Sequence, residues 1–173
     1  KGGITMEHQH VLSLYVENHQ GVLSRIAGLF SGRGYNLESL TVGVTNDPTV
    51  SRMTIVCGGD DQVIEQIKKQ LNRLVDVIKV IDLTDKQSIH REMLMVKLDI
   101  DPKDRGEIFQ VADVFRGKIS DVGKQSIVVE LTGSPEKIDG FLSLIQEYKI
   151  TEMVRSGLVS MERGPKSLQE HTE

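Results

Sequence analysis

The chain has 173 residues, of which 38% are hydrophobic and 27% charged, with a net charge of −4, no tryptophan and one cysteine. That length accommodates one medium domain or two small ones, and the composition is that of a soluble globular protein. An acidic chain poor in aromatics is a poor candidate for nucleic-acid binding, one cysteine excludes an internal disulfide, and no apolar run approaches the length of a membrane-spanning helix.

The first residues, Lys1 to Met6, lack the apolar core of a signal peptide. Met6 is a candidate initiator, and the fold is expected to begin there. Leu12, Leu14 and Val16 alternate with Val11, Ser13 and Tyr15, the period of a strand. Glu17-Asn18-His19-Gln20-Gly21 is a polar connector. Val22, Leu23, Ile26, Ala27, Leu29 and Phe30 then recur at helical spacing and predict one apolar stripe. Gly32-Arg33-Gly34 closes that helix, glycine being the usual residue past a helix end. A second strand is predicted at about Asn36 to Thr45, with Leu40, Val42 and Val44 on one face. Asn46-Asp47-Pro48-Thr49 reads as a hairpin turn. Val50 to Cys57 reads as a third strand, with Met53, Ile55 and Cys57 on one face. Cys57 is thus a core thiol, and a reducing cytoplasm fits it. Gly58-Gly59-Asp60-Asp61 breaks the chain and caps a second helix, about Asp61 to Arg73, whose stripe is Val63, Ile64, Ile67, Leu71 and Leu74. Val75 to Leu83 follow as a fourth strand. The order βαββαβ predicts an α+β, ferredoxin-like unit with two helices on one face of a four-stranded antiparallel sheet.

Thr84 to Ser88 is polar and reads as a linker. The pattern then restarts. Leu94, Val96, Leu98 and Ile100 alternate, Asp101-Pro102-Lys103-Asp104 interrupts, and Ile108, Val111, Ala112 and Phe115 repeat helically. Lys118 to Val122 and Gln125 to Leu131 make two strands around Gly123. Ser134-Pro135-Glu136 starts a helix with a cap, a first-turn proline and an acid at the positive end. Ile138, Phe141, Leu142 and Ile145 form its stripe. Ile150 to Arg155 fit a last strand, which Leu158 to Met161 extend. The domain expectation is therefore 6–84, then 85–163 as a second βαββαβ unit, then a polar tail at 164–173 expected to be disordered.

The chemistry concentrates at the first strand–helix junction. The leading N–H groups of a helix have no partner within it, the helix dipole is positive there, and glycine lets a ligand approach the backbone. The Gly21 to Ser24 region therefore suits a small carboxylate. Asn18 and Asn36 each offer a donor and an acceptor without net charge. Two neutral amides beside a helix N-terminus would hold a zwitterion, the helix taking the carboxylate and an amide oxygen the ammonium. The same asparagines serve equally as caps and turn formers, and on spacing alone that structural role comes first.

The run E-N-H-Q-G-V-L-S-R, then G-L-F-S-G-R-G-Y-N-L-E-S-L-T-V-G, then D-P-T-V-S-R-M-T-I, resembles the small regulatory subunit of acetolactate synthase (acetohydroxyacid synthase). The similarity continues through Leu74-Val75-Asp76-Val77 and, more loosely, over the second half. It implies that residues 6–84 form an ACT domain for effector binding and dimerisation. The effector would be valine or another branched-chain amino acid. The positions that match the family's effector pattern are Asn18, Gly21, Val22, Leu23, Ser24, Asn36 and Leu37. The resemblance further implies a homodimer through that domain, with the effector at the interface. The implied partner is a catalytic large subunit that carries thiamine diphosphate, flavin and magnesium, and this chain would stimulate it and confer feedback inhibition. Leu23 and Leu37 would help enclose the branched side chain.

No catalytic set competes with that reading. His8 and His10 read as exposed terminal histidines, with no second cluster to complete a metal site. Asp60-Asp61 reads as a cap, and Glu65 and Glu147 as solvated charges on helix faces. No nucleophile elbow or glycine-rich phosphate loop is present. An ACT-type sensor of a different enzyme is the main alternative. An RNA-binding βαββαβ module ranks below it, because Tyr15 is the one aromatic on the strands that would carry stacking residues.

Overall fold

A computed structural model describes residues 9–167. They pack as two units, one of residues up to 89 with 160 onward and one of residues 90–159. The first is built from β1 (Gln9–Glu17), α1 (Val22–Arg33), β2 (Asn36–Val44), β3 (Val50–Gly58), α2 (Asp61–Asn72) and β4 (Val77–Asp82). Its antiparallel sheet has the order β2-β3-β1-β4. Alternation explains the core. Leu12, Leu14 and Val16 of β1 and Met53, Ile55 and Cys57 of β3 share one face and meet Val22, Ile26 and Phe30 of α1 and Ile64, Ile67 and Leu71 of α2. Both helices therefore cover the same side, as expected. Burial pushes the Cys57 thiol up to about 11, so it stays protonated at neutral pH.

The caps behave as the residue types require. Asp60 accepts from the Val63 N–H at 2.9 Å and opens α2. Gly34 closes α1 in the left-handed conformation, φ 66°.

The second unit repeats the order with β5 (Ser88–Asp99), α3 (Arg105–Val114), β6 (Lys118–Val122), β7 (Ser126–Gly133), α4 (Pro135–Leu144) and β8 (Lys149–Arg155). Its sheet runs β6-β7-β5-β8, and β9 (Val159–Glu162) pairs with β5 outside that order. Ser134 accepts from the Lys137 N–H at 3.3 Å, and Pro135 stands in the first turn of α4. The core of this unit joins Leu94, Val96 and Leu98 of β5 to Ile108 and Ala112 of α3 and to Ile138 and Phe141 of α4.

Several boundaries differ from the sequence reading. The fourth strand begins at Val77, because Leu74 to Val77 makes a turn closed by Val77 N–H on the Leu74 carbonyl, and Val75 is 92% exposed. Leu23 is exposed, and Ala27 is not buried either, so α1 buries a narrower stripe than its apolar residues suggest. β2 is an edge strand, and Val42 and Val44 at its far end are exposed. Ser88 already belongs to β5, which shortens the linker. Leu158 to Met161 does not extend β8: Gly157, with φ 86°, redirects the chain into β9. His10 is buried in β1, with Nε2 3.2 Å from the Gly59 carbonyl, and is not an exposed terminal histidine. His8, His171 and Met6 lie outside the described residues, as does 168–173 of the expected tail. Glu147 sits in the turn after α4 rather than on a helix face. Among the described residues no helix is long and apolar enough to cross a membrane.

Candidate functional site

β1 ends at Glu17 and α1 begins at Val22, so residues 18–21 turn the chain from sheet to helix. Gly21 occupies the N-cap position with φ 88° and ψ −9°, a left-handed conformation that favours glycine, and no side chain caps the helix. The first bond of α1 is Arg25 N–H on the Gly21 carbonyl at 3.1 Å. The N–H groups of Val22, Leu23 and Ser24 precede it and have no partner within the helix.

Asn18 is tied to the β2–β3 turn. Its backbone N–H donates to the Thr49 carbonyl at 2.8 Å and its side-chain NH2 to the Pro48 carbonyl at 2.9 Å. That bond orients the amide and leaves Oδ1 as an acceptor. The turn is itself stiffened, since Asp47 accepts from both the hydroxyl and the N–H of Thr49, which hold its carboxyl below the usual range.

Four charged groups beside the loop were not singled out by spacing. Asp76 is almost buried. Its Oδ2 accepts from Arg25 Nε and Nη2, each at 2.6 Å. Its Oδ1 is 3.1 Å from His19 Nε2, which is also 2.9 Å from Glu17 Oε2. The hydrogen bond to Glu17, then one to the backbone at Gln20, raises the His19 pKa. Ligand atoms of Glu17, His19 and Asp76 lie within 4.8 Å of one another, close enough for a divalent cation. Arg25 and a protonated His19 already balance both carboxylates, so the group reads as an ion-pair network. Asp76 lies 51 residues from Arg25, which no helical or strand spacing reveals.

The seven sequence-predicted residues divide between two ends of the sheet. Asn18, Gly21, Val22, Leu23 and Ser24 share the loop and helix start. Asn36 pairs with Gly58, which also pairs with Gln9, whereas Glu17 pairs with Val50. Eight residues of strand therefore separate the two ends, roughly 26 Å at the usual rise. Within one chain Asn36 is not beside the α1 N-terminus, which corrects the picture of two amides flanking it. Val22 is in the core and Leu37 packs against it, whereas Leu23 is 45% exposed.

Arg52, in the D-P-T-V-S-R-M-T-I run, lies on the face of the sheet away from the helices. It stacks 5.9 Å from the centre of the Tyr15 ring and donates to the Ser160 carbonyl at 2.8 Å. Tyr15 is therefore occupied within the fold and offers no open stacking platform for a base.

Comparison with known proteins adds two family matches. Residues 12–79 match the family described as the AHAS small subunit-like ACT domain, and residues 91–164 match the small subunit of acetolactate synthase. The chain is 48% identical over 161 residues to the acetolactate synthase small subunit of Haemophilus influenzae, covering 92% of this chain and 99% of that one. It is 46% identical over 162 residues to the acetolactate synthase isozyme 3 small subunit of Escherichia coli, covering 93% and 99%. The crystal structure of the acetolactate synthase small subunit from Thermotoga maritima superposes with a TM-score of 0.82 at 40% identity, covering 91% and 99%.

Proposed function

The chain belongs to the family of acetolactate synthase small subunits, regulatory rather than catalytic, and we propose that it makes a separate catalytic subunit sensitive to valine or another branched-chain amino acid. On this reading it also raises that subunit's activity, in the cytoplasm. Thiamine diphosphate, flavin and magnesium belong to the catalytic subunit.

The observation that carries the effector reading is the uncapped start of α1, held by Gly21 in a left-handed turn beside the oriented amide of Asn18. Unclaimed N–H groups at a positive helix end suit a carboxylate, and Asn18 Oδ1 suits an ammonium. A small apolar group on the ligand contributes roughly 1.5–3 kcal/mol when fully buried, and one methylene more or less only about 1–3 kcal/mol. Valine, leucine and isoleucine are therefore close competitors.

The separation of Asn36 from the loop supports an effector held between two copies. β2 is an edge strand, and edges of small open sheets invite pairing; Val42 and Val44 on it are exposed. Side-by-side pairing of two sheets through this edge would bring the Asn36 end of one copy toward the loop end of the other. Sedimentation at micromolar concentration is expected to give a dimer, and a monomer would remove this arrangement.

The direct test is reconstitution with an acetolactate synthase catalytic subunit, followed by assay of acetolactate with and without valine. The chain should raise the rate, and valine should lower it only when the chain is present. A reconstituted enzyme indifferent to valine, leucine and isoleucine would refute the proposal.

A further inference from the structure

Arg25 sits one turn into α1, and its side chain runs back over the helix N-terminus, the direction helical side chains take. Two of its nitrogens, Nε and Nη2, bond Oδ2 of Asp76. Asp76 is itself fixed, by His19 on its other oxygen and by the Glu17 N–H on its backbone carbonyl at 2.9 Å. A guanidinium is planar and rigid, so a carboxylate that grips one edge aims the other. The aimed nitrogen is Nη1, and it lies 3.0 Å from the point where a Cβ on Gly21 would be. The glycine thus provides more than a left-handed turn, since any side chain there would press on the guanidinium.

We propose that Arg25 is the residue that recognises the effector's carboxylate, and that Asp76 is the positioning residue that aims it. This rests on the effector reading above. Helix N–H groups attract an anion but carry only a partial charge. Arg25, although its charge is shared with Asp76, adds an oriented guanidinium N–H donor, Nη1, on the same side as Gly21. His19 cannot substitute for it, because its Nε2 lies between Glu17 and Asp76. The ligand class follows: a free amino acid with an ionised carboxylate. Its amide keeps the ammonium and the side chain but loses the partner of Arg25.

The test uses valine and valinamide titrations of the reconstituted holoenzyme carrying wild-type chain, Arg25→Met, Arg25→Lys or Asp76→Asn. Wild type should prefer valine over valinamide by about tenfold or more, the size of a hydrogen bond to a charged group. Arg25→Met should weaken valine by about the same factor and bring it to the level of valinamide. Arg25→Lys keeps the charge without the fork and should fall between. Asp76→Asn should also reduce the preference, although Arg25 is still present, because the guanidinium is no longer aimed. A merely structural role would weaken both ligands together and leave their ratio unchanged. An unchanged ratio in Arg25→Met therefore overturns the assignment while the effector reading stands. If Arg25→Met does not fold, the ratio in Arg25→Lys and Asp76→Asn decides in the same way. A wild-type holoenzyme that ignores valine removes the effector reading and this assignment with it.

Discussion

In the second unit the turn from β5 into α3 is closed by its own residues. Asp101 Oδ1 accepts from the Lys103 N–H at 3.1 Å, Pro102 has no N–H to satisfy, and Arg105 donates to the carbonyls of Gly123 and Lys124. In the first unit the same step of the fold is made by Asn18 to Gly21, and no side chain caps the helix it leads to. Arg105 lies at the start of α3 and reaches backbone of its own unit, whereas Arg25 is held by Asp76 with one edge toward Gly21. The topology is shared, and neither α1 nor α3 has a side-chain cap on its own N-cap residue, but the second junction is filled by the short turn that Asp101 closes and by Arg105, whereas the first has Gly21 and the held edge of Arg25. On the function proposed above, binding capacity resides in how a strand–helix step is built, and a duplicated fold does not imply a duplicated site.

The sharpest way to break this comparison is to damage each core and ask what happens to the ligand. Phe30 and Phe141 are matched: each is buried and meets another ring edge-on, Tyr35 at 6.2 Å and Phe115 at 5.6 Å. Truncation to alanine should cost about 3–5 kcal/mol in either unit. Thermal unfolding with and without valine separates them, since a ligand that binds only the native state stabilises what it binds. Phe30→Ala should abolish the valine-induced shift and Phe141→Ala should preserve it. The reverse pattern would move the site to the second unit.

Gly21→Asp comes next. Its carboxylate would lie where the ligand's is expected, and its Cβ would meet Arg25 Nη1 at 3.0 Å. The introduced acid would pair with Arg25 and take the ligand's place. Valine inhibition of the reconstituted enzyme should weaken by about 100-fold or more, which corresponds to about 2.7 kcal/mol. The left-handed backbone costs a non-glycine residue about 1–2 kcal/mol, so circular dichroism must confirm the fold. The equivalent insult in the second unit, Pro102→Asp, should leave inhibition unchanged. A folded Gly21→Asp chain with normal sensitivity would locate the effector elsewhere.

Both units were legible from periodicity because their strands alternate cleanly and α2 and α4 open on side-chain caps. Asp60, Ser134 and Gly34 do what their residue types predict at those positions. The misread boundaries fell where apolar residues are exposed. Val75 is apolar but sits in a turn, and Val42 and Val44 are on an edge that a single sequence cannot identify. The site was half legible. Glycine before an apolar helix and asparagine in a short connector are local signals, and they pointed to residues 18–24. Arg25 and Asp76 meet only because α1 and the approach to β4 pack together, a long-range contact with no local signature. The distance between Asn18 and Asn36 was likewise hidden, since both are close in sequence to α1 but at its opposite ends.

A smaller effect should separate the caps. Asp101→Ala removes a side chain that closes the second junction and should lower stability by about 1 kcal/mol, as N-cap losses do, with no change in valine sensitivity. Asn18→Ala removes an anchor to the Pro48 carbonyl and an acceptor, and should weaken valine several-fold with a stability loss of roughly 0.5–1.5 kcal/mol. Denaturant midpoints and valine titrations, measured together, check the contrast. Equal loss of valine sensitivity in both variants would mean that the junctions differ less than their hydrogen bonds indicate.

The smallest expected effect is a proton linkage that the second junction lacks, because residues 101–105 contain no histidine. His19 is held between Glu17 and Asp76, and its pKa lies above the ordinary 6.5, chiefly through the hydrogen bond to Glu17. A raised value means that the folded loop binds the proton more tightly than the unfolded chain. The resulting stabilisation is fully present below pH 6.5 and fades as pH rises through the folded value. Arg25 keeps its charge throughout, so the Arg25–Asp76 pair persists while the His19 contact weakens. Because His19 lies at the exposed surface, salt should reduce the effect further. Imidazole proton shifts followed across neutral pH should give a His19 midpoint above 6.5. In Glu17→Gln that midpoint should fall toward 6.5, since the largest cause of the shift is removed and Asp76 remains. A His19 midpoint at or below 6.5 in the wild type, or one indifferent to Glu17→Gln, would show that the imidazole does not belong to the network that holds Asp76.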